Sequence, residues 1–414
     1  MNKRIYKVAL PLMVVTCLAF LMAASSTFAK GDPDFDPPLA PLGPVPDPMD
    51  NSMTPEKIEL GKMLYFDPKI SGDASLACVD CHHPEQGWGF NEPICRGYPG
   101  TVHWRNCQTV VNTGYLNKVF WAGSTTSLEK QAKSAAQGGV AGNGELDVMD
   151  ERLRQTPEYV ELFRKVYGAE QPNVRPLAYM AIAAFERGAL SQVGKWESPL
   201  DKYLKGKKSA LSKKAVKGMK LFEGKANCIE CHNGPMLTDE KFYNIGVPRP
   251  EEWETIGLNQ ITFRFELYAK GVYEDKYRNY KDDLGLYFQT KQKKDLGKFR
   301  TAPLRYLKYT APYMHAGQFF TLEEVIDFYN DGGGENDFTK KYGTKTKILK
   351  PLGLTDGEKE ALVAFLEEIS GKEIKIGSVK VPKMKPFPDV KRLTQKKAKI
   401  TGIEFYLDAQ GIKY

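Results

Sequence analysis

Histidine and cysteine are scarce in this chain, which has only five histidines and seven cysteines among its 414 residues. Beyond the N-terminal segment, no stretch is apolar enough to cross a membrane. The formal net charge is +8, and no basic cluster resembles a nucleic-acid footprint. The sequence therefore indicates neither a membrane-spanning nor a nucleic-acid-binding protein, and its few histidines and cysteines carry most of the information.

The N-terminal segment has the pattern of a secretory signal peptide. Three basic residues precede an apolar run from Val8 to Leu21, and small residues follow up to Ala29. We expect cleavage near Ala29 and a periplasmic or other extracytoplasmic location. The alternative is an uncleaved anchor, but about 14 apolar residues are too few to span a bilayer comfortably. Removing residues 1–29 would lower the formal charge from +8 to +5.

Four cysteines lie in two copies of the pattern C-x-x-C-H, namely Cys78, Cys81 and His82, and Cys228, Cys231 and His232. In such a segment the thiols can form thioethers to one haem, and the adjacent imidazole becomes an axial ligand of its iron. The alternative is a structural zinc site built from four thiolates. Because zinc needs no histidine directly after each second cysteine, we predict two covalently bound haem c groups.

Two cysteines and three histidines remain once these motifs and Cys17 of the signal peptide are set aside. Cys95 and Cys107 are twelve residues apart, and in an oxidising compartment we expect them to form a disulfide. The histidines left for other roles are His83, His103 and His315.

The surroundings of the two motifs repeat. Each motif follows a predicted helix, Glu56 to Leu64 or Leu211 to Phe222, which contains Gly-Lys-Met or Gly-Met-Lys and an aromatic residue. This repeat predicts a mainly α fold with two related helical haem domains. The expected boundaries are a proline-rich leader, an N-terminal domain, a C-terminal domain and a basic C-terminal extension at residues 30–50, 51–205, 206–374 and 375–414.

Further helices are expected over residues 128–136, 157–166 and 174–188, followed by a lysine-rich linker from Asp201. Capping boxes at Thr321–Glu324 and Thr355–Glu358 predict helices that run to about residues 329 and 370. Gly332 and Gly371 would end them. The aromatic and charged passage at 259–298 has mixed periodicity and no assignable chemistry.

Residues 299–333, FRTAPLRYLKYTAPYMHAGQFFTLEEVIDFYNDGG, closely resemble the bacterial dihaem cytochrome c peroxidase and MauG family. Segments 120–132, 227–238 and 352–371 share the resemblance, which spans about residues 53–372. It implies two cytochrome c-like helical domains, each with one haem c, and a peroxidase-type oxidoreductase that uses hydrogen peroxide. His82 and His232 would be the proximal iron ligands.

The resemblance places the distal ligand of the second haem fourteen residues after His315, at Tyr329. The peroxidases have methionine there and the MauG-like branch has tyrosine, a hard ligand that stabilises high oxidation states. Tyr329 also continues an apolar stripe from Leu322, so a core role stays open. Met314 is the competing ligand, and His315 matches a residue that contacts a haem propionate.

Three further residues match the family's redox machinery. Trp121 would relay electrons between the haems, while Gln131 and Glu145 would face peroxide at the first haem, where a carboxylate can move the proton between oxygens. The alternatives are core packing for Trp121 and solvated loop positions for the other two. The chain departs from the family at three positions: Ala122 and Ser124 replace the usual Asp and Arg, and Ala135 replaces a proline.

Asn106, Thr310 and Pro312 match the family's calcium ligands between the domains, the last two through backbone carbonyls, which suit a hard cation. His103 is a candidate cap for the first haem, because a loop histidine blocks that haem in many of the peroxidases. No residue of this chain aligns cleanly with that histidine. His83 adjoins the ligand His82 and cannot reach the opposite face of the same iron.

The implied function is a periplasmic dihaem oxidoreductase that uses hydrogen peroxide at the first haem to form a high-valent dihaem state. That state would oxidise a protein donor or a protein substrate. Tyr329 favours a protein substrate, whereas Ala226 stands where MauG has an exit tryptophan. The alternative is a non-catalytic dihaem electron-transfer cytochrome, which would need a capped first haem. The sequence leaves the oligomeric state open, with a homodimer as one candidate, and we expect neither nucleic acid nor stable membrane insertion.

Overall fold

Helices dominate the part of the chain that the computed structural model describes, residues 39–98 and 101–384. The predicted signal peptide and residues 385–414 of the predicted extension lie outside the described residues. Among the helices that are described, none is both long and apolar enough to cross a membrane.

The first half of the described chain has seven helices: α1 (Pro55–Tyr65), α2 (Cys78–Cys81), α3 (Leu128–Gln137), α4 (Leu146–Arg154), α5 (Pro157–Tyr167), α6 (Tyr179–Ala189) and α7 (Pro199–Leu204). The second half has α8 (Lys213–Glu223), α9 (Gly257–Ala269), α10 (Glu274–Asn279), α11 (Tyr287–Thr290), α12 (Leu322–Asn330), α13 (Asp337–Tyr342) and α14 (Asp356–Glu368). Two strands, β1 (Phe242–Tyr243) and β2 (Phe299–Arg300), pair antiparallel.

The predicted helices are present, and their ends are shifted by a residue or two except at the helix predicted from residue 174. Thr54 caps α1 by accepting a hydrogen bond from the backbone N–H of Lys57 at 3.2 Å. The box at Thr321 is closed at α12, since Thr321 Oγ1 accepts from Glu324 N at 3.1 Å and Glu324 Oε2 accepts from Thr321 N at 3.0 Å. The predicted helix from residue 174 begins as a π turn, and regular α6 starts at Tyr179.

The repeat seen in the sequence reappears as two helix crossings of the same geometry. At Gly61 of α1, a Cβ atom would lie 1.8 Å from the carbonyl oxygen of Ala181 on α6, beside Phe185. At Gly218 of α8, it would lie 1.9 Å from the carbonyl oxygen of Ala361 on α14, beside Phe365. Only glycine permits such close approach, so each half is built on one tight crossing.

Each crossing lies in its own hydrophobic core. The first core draws on α1, α4, α5 and α6, and the second on α7, α8, α12 and α14. The predicted linker from Asp201 therefore begins inside a helix that packs on the second core, with the side chain of Leu200 fully buried. The exact division at residue 205 stays a prediction.

A third core lies in the passage for which the sequence predicted no structure. Residues from Trp253 to Leu296 contribute Phe263, Leu267 and Phe288, which pack with Trp104 from the first half. The passage contains α9, α10 and α11. It therefore joins the two halves of the chain.

The two ends of the described chain cross over. Leu39 of the leader lies in the second core, and Leu42 N donates to Asp201 Oδ1 at 2.8 Å. Ile374, just after the second half, is fully buried in the first core. Residues 371–384, here termed the C-terminal strap, thus pack on the first half.

Candidate haem sites and the region between them

The first C-x-x-C-H motif forms the short helix α2, and its histidine is the residue that ends that helix. Asp80 Oδ2 accepts from Ala77 N at 2.7 Å at the start of α2, and Tyr65 OH donates to His82 O at 3.4 Å. His82 Nδ1 is buried without a hydrogen-bond partner among the described residues. Burial lowers the pKa of His82 to about 4, so the imidazole is neutral, as an iron ligand must be.

The second motif opens with a 3-10 turn, Cys228–Glu230. His232 Nδ1 lies 3.0 Å from Leu237 O. Donation from this nitrogen to the carbonyl fixes the tautomer and leaves Nε2 free for a metal. Burial also lowers the pKa of His232.

The four motif cysteines fit haem attachment better than zinc. None of them is in a disulfide, and burial raises the pKa of Cys81 and Cys228 to about 12 and that of Cys231 to about 11. Within residues 39–98 and 101–384, no group of three or more His, Cys, Asp or Glu side chains is placed to hold a metal. The two pairs adjoin different cores, so they cannot supply one four-thiolate site.

Tyr329 lies in the last turn of α12, where Leu322 and Ile326 are buried in the second core but Tyr329 is only half-buried. Burial, and then the neighbouring Cys228 and Cys231 sulfurs, raise the pKa of its hydroxyl. Tyr329 is thus less buried than Leu322 and Ile326 on the same helix, and it lies close enough to the second motif for those sulfurs to affect the pKa of its hydroxyl. Met314, the competing ligand, is half-buried with a left-handed backbone, φ 71°.

Trp121, Asn106 and His315 form one connected cluster. Trp121 Nε1 donates to Asn106 O at 2.9 Å, and Asn106 N donates to His315 O at 2.8 Å. The rings of Trp121 and His315 are 6.5 Å apart, and His315 stacks on Phe299 at 3.9 Å. Three predicted site residues from distant parts of the sequence are thus brought together.

Gln131 and Glu145 are not joined to each other. Gln131 is half-buried on α3, while Glu145 is exposed immediately before α4. In the part of the chain that is described, neither side chain makes a hydrogen bond. The loop between them folds back on α3, with Gly142 N and Gly144 N donating to Ala135 O and Ala136 O, each at 2.8 Å.

The side-chain nitrogen of Asn106 is engaged by the loop after the first motif, donating to Glu92 O at 3.1 Å. Thr310 and Pro312 flank Ala311, and the Ala311–Pro312 peptide bond is cis. Since Asn106 also bonds His315, three residues beyond Pro312, these predicted calcium ligands come from adjacent segments.

The two remaining histidines have local partners. His83 Nδ1 accepts from Glu85 N at 3.2 Å. His103 stacks on Trp104 with ring centroids 4.1 Å apart, and its Nδ1 accepts from Arg105 N at 3.1 Å. Its loop is closed by the predicted Cys95–Cys107 disulfide, which is confirmed with a Cα–Cα distance of 5.5 Å.

Sequence reasoning missed two polar features near the motifs. Glu186, on α6, is 3% exposed. It lies in the mostly apolar segment AIAAFERGA, and an acidic residue in such a segment was the only indication in the sequence. Tyr243 donates to Asp239 Oδ2 at 2.8 Å, in a loop whose letters carry no distinctive pattern.

A model of the di-haem cytochrome c peroxidase family matches residues 55–209. The chain is 53% identical over 356 residues to the cytochrome-c peroxidase IdrP1 of Denitromonas iodatirespirans, covering 85% of this chain and 92% of that protein. This chain belongs to the di-haem cytochrome c peroxidase family. It is also 32% identical over 338 residues to the methylamine utilization protein MauG of Methylorubrum extorquens, covering 82% and 85% of the two chains.

Among solved structures, the chain is similar to the crystal structure of a MauG-like protein associated with microbial copper homeostasis. The TM-score is 0.66 at 28% identity, covering 79% of this chain and 93% of that one. The predicted family, mainly α fold and peroxidase-type oxidoreductase class are confirmed. As a family member, the chain carries two haem c groups.

Proposed function

We propose that this chain is a periplasmic peroxidase that reduces hydrogen peroxide at the haem held by Cys78, Cys81 and His82. When bound, the two haems supply the redox chemistry, in which peroxide is reduced at the first and the oxidising equivalents are stored in a high-valent state shared with the second. A redox protein or a protein substrate then returns the electrons. The disulfide supports an oxidising compartment, and a homodimer is the proposed assembly.

Tyr329 is the proposed distal ligand of the second haem, and its position carries the proposal. It is half-buried, unlike Leu322 and Ile326 on the same helix, and after burial the sulfurs of Cys228 and Cys231 raise the pKa of its hydroxyl. A phenolate ligand favours storage of oxidising equivalents over simple electron entry. His232, with its Nδ1 engaged by Leu237, is the proposed ligand on the opposite face.

Trp121 is the proposed relay between the two sites. Its indole N–H is fixed by Asn106 O, and its neighbour His315 is buried. His315 is the proposed contact for a haem propionate. Asn106, Thr310 and Pro312 are the proposed calcium ligands. A cation there would tie together the segments that hold Trp121 and His315.

Gln131 and Glu145 are the proposed residues over the peroxide-binding face. Peroxide cleavage requires that a proton leave one oxygen and arrive at the other. Glu145 is the proposed carrier of that proton, and its position before α4 is set by the backbone bonds of the preceding loop. Gln131 would orient peroxide from α3.

An open first haem is favoured over a capped one because His103 is engaged elsewhere. Its ring stacks on Trp104, and Asn259 Nδ2 donates to its carbonyl at 2.7 Å. This supports a peroxidase rather than a non-catalytic electron-transfer cytochrome.

Low-temperature electron paramagnetic resonance of the oxidised haem-loaded protein tests the proposal, before and after one equivalent of peroxide. We expect one high-spin and one low-spin signal, both lost on addition of peroxide. Glu145→Gln should slow the loss of both signals without changing the starting spectrum. Two low-spin signals that do not respond to peroxide would instead identify an electron-transfer cytochrome.

A further inference from the structure

A tyrosine–aspartate pair lies against the attachment site of the second haem. Tyr243 is half-buried on β1, and its hydroxyl donates to Asp239 Oδ2 at 2.8 Å. The other carboxylate oxygen, Asp239 Oδ1, accepts from Lys241 N at 2.9 Å. The carboxylate is therefore oriented by the backbone and has one oxygen assigned to the phenol.

The same pair is fixed to Cys231. Asp239 N donates to Cys231 O at 2.9 Å, which closes the loop between the motif and the strand. Asp239 thus links the Tyr243 hydroxyl to the residue that carries the Cys231 sulfur. In the haem-loaded protein this sulfur is the thioether that joins the chain to the porphyrin edge.

The strand also connects Tyr243 to the cluster between the two haem sites. Tyr243 pairs with Phe299 of β2, Phe299 stacks on His315 at 3.9 Å, and His315 lies 6.5 Å from Trp121. The backbone pairing of β1 with β2 thus brings Tyr243 to the segment whose Phe299 ring contacts the cluster around the proposed relay.

We propose that Tyr243 is a redox-active residue through which the oxidised second haem is refilled, with Asp239 as its proton acceptor. The inference rests on the proposed function, which supplies the oxidant from peroxide. In the forward step one electron passes from Tyr243 to the oxidised haem, the phenolic O–H bond breaks and the proton binds Asp239 Oδ2, which leaves a neutral phenoxyl radical. A redox protein then donates one electron, and Asp239 returns the proton.

The proton acceptor distinguishes Tyr243 from the other tyrosines near the second core. A general base must lie within hydrogen-bond reach of the proton that it takes. Tyr313 OH donates to the backbone carbonyl of Leu307 at 3.0 Å, which cannot hold a proton. Tyr159 does donate to a carboxylate, Asp67, at 2.6 Å, but Asp67 belongs to the first half and is already paired with Lys69.

The test compares the haem-loaded wild type with Tyr243→Phe, Asp239→Asn and the matched control Tyr313→Phe. One equivalent of peroxide is added without any donor, and samples frozen at intervals are measured optically and by electron paramagnetic resonance. Ring-deuterated tyrosine identifies the radical, since its signal narrows. We expect a tyrosyl signal in the wild type and the control, its loss in Tyr243→Phe, and a weaker signal in Asp239→Asn, where the tyrosine remains but its base is gone.

The optical changes separate this inference from the proposed function. All four proteins should give the same first response to peroxide, and the oxidised state should persist longer in Tyr243→Phe and Asp239→Asn. A wild type without any optical response would overturn the proposed function. A normal response with no tyrosyl signal, or with a signal that survives in Tyr243→Phe, would overturn the role of Tyr243 alone.

Discussion

Glu186 is an acid held inside the first half of the molecule. Its side chain is 3% exposed on α6, between α1 and α3. The neighbouring Arg187 is directed to Glu129, with Arg187 Nη2 and Glu129 Oε1 2.7 Å apart. Burial raises the pKa of Glu186 from 4.5 to about 8, in spite of the lowering by Arg187. Burial, and then the Glu186 carboxylate, raise the pKa of Tyr65 and of Cys78 in the first motif.

A buried acid with a raised pKa makes stability depend on pH. Between the unfolded value near 4.5 and the folded value of about 8, only the folded state keeps the proton, so stability falls as pH rises. Glu186→Gln removes this dependence. Its free energy of unfolding should therefore rise relative to that of the wild type by up to about 1.4 kcal/mol per pH unit in that window.

Denaturant unfolding of the haem-loaded protein at pH 5 and pH 8 measures the difference. Glu158→Gln, a change at an exposed position of α5, serves as the control and should follow the wild type at both values. Equal stability of Glu186→Gln and wild type across the window would mean that Glu186 is ionised in the folded state.

The ligand of the second haem can be decided between two side chains. Tyr329→Phe should convert the low-spin signal of that haem to a high-spin one, because the phenyl ring offers no donor atom. Met314→Leu should leave the signal unchanged, and electron paramagnetic resonance of the oxidised protein records both. The reverse pattern would assign the site to Met314.

At the scale of single residues, the sequence could predict the features that depend on a fixed local spacing. The C-x-x-C-H motifs and the Cys95–Cys107 pair depend on neighbours in sequence, and both are found as expected. Glu186 and Tyr243 depend on contacts with other segments of the chain. The residue type alone does not reveal such contacts. The role of Glu145 stays a prediction from the family resemblance, and its exposure follows from how its loop folds back on α3.

At the scale of the elements, the C-terminal strap makes hydrogen bonds with buried residues of the first half. Ile374 O accepts from Trp88 Nε1 at 2.9 Å, and Ile374 N donates to Tyr306 OH at 2.6 Å. Lys69 Nζ donates to Pro382 O at 2.6 Å farther along. Trp88 is six residues after His82, so the strap supports the loop that follows the first iron ligand.

Ile374→Ala should therefore destabilise the first half by about 2–5 kcal/mol, the usual cost of truncating a fully buried aliphatic side chain. Urea unfolding followed by haem absorbance measures the loss. Lys380→Ala, at an exposed position of the same strap, should change stability little. Equal effects of the two substitutions would show that the strap lies on the surface without contributing to the core.

Element prediction succeeded where periodicity and caps agreed. Helices α1, α3, α5, α12 and α14 follow their predicted spans closely. It failed at residues 259–298 because α9 to α11 bury aromatic residues against Trp104 of the first half. That contact, rather than local pattern, decides which of their side chains are inside.

At the scale of the whole molecule, each end of the described chain packs on the more distant core: the N-terminal leader on the second and the C-terminal strap on the first. The leader residues Leu39 and Leu42 attach to the second core and to α7, which packs on it; there Arg305 Nη2 and Asp201 Oδ1 form a fully buried ion pair at 2.8 Å. The strap attaches to the first half. Repeat analysis predicted two similar units, but it contained no information on which unit each end would join.

This arrangement of the two chain ends affects the order in which the two cores can fold. Trp88 and Ile374 are 286 residues apart in sequence, and a contact that distant forms late because a long loop must close first. If the chain becomes available N-terminus first, the part of the first core that Ile374 covers therefore stays exposed until nearly the whole described chain is present. That part of the core adjoins the loop after His82, so the first half is completed by the last part of the described chain, and a product cut short before Ile374 would leave it incomplete.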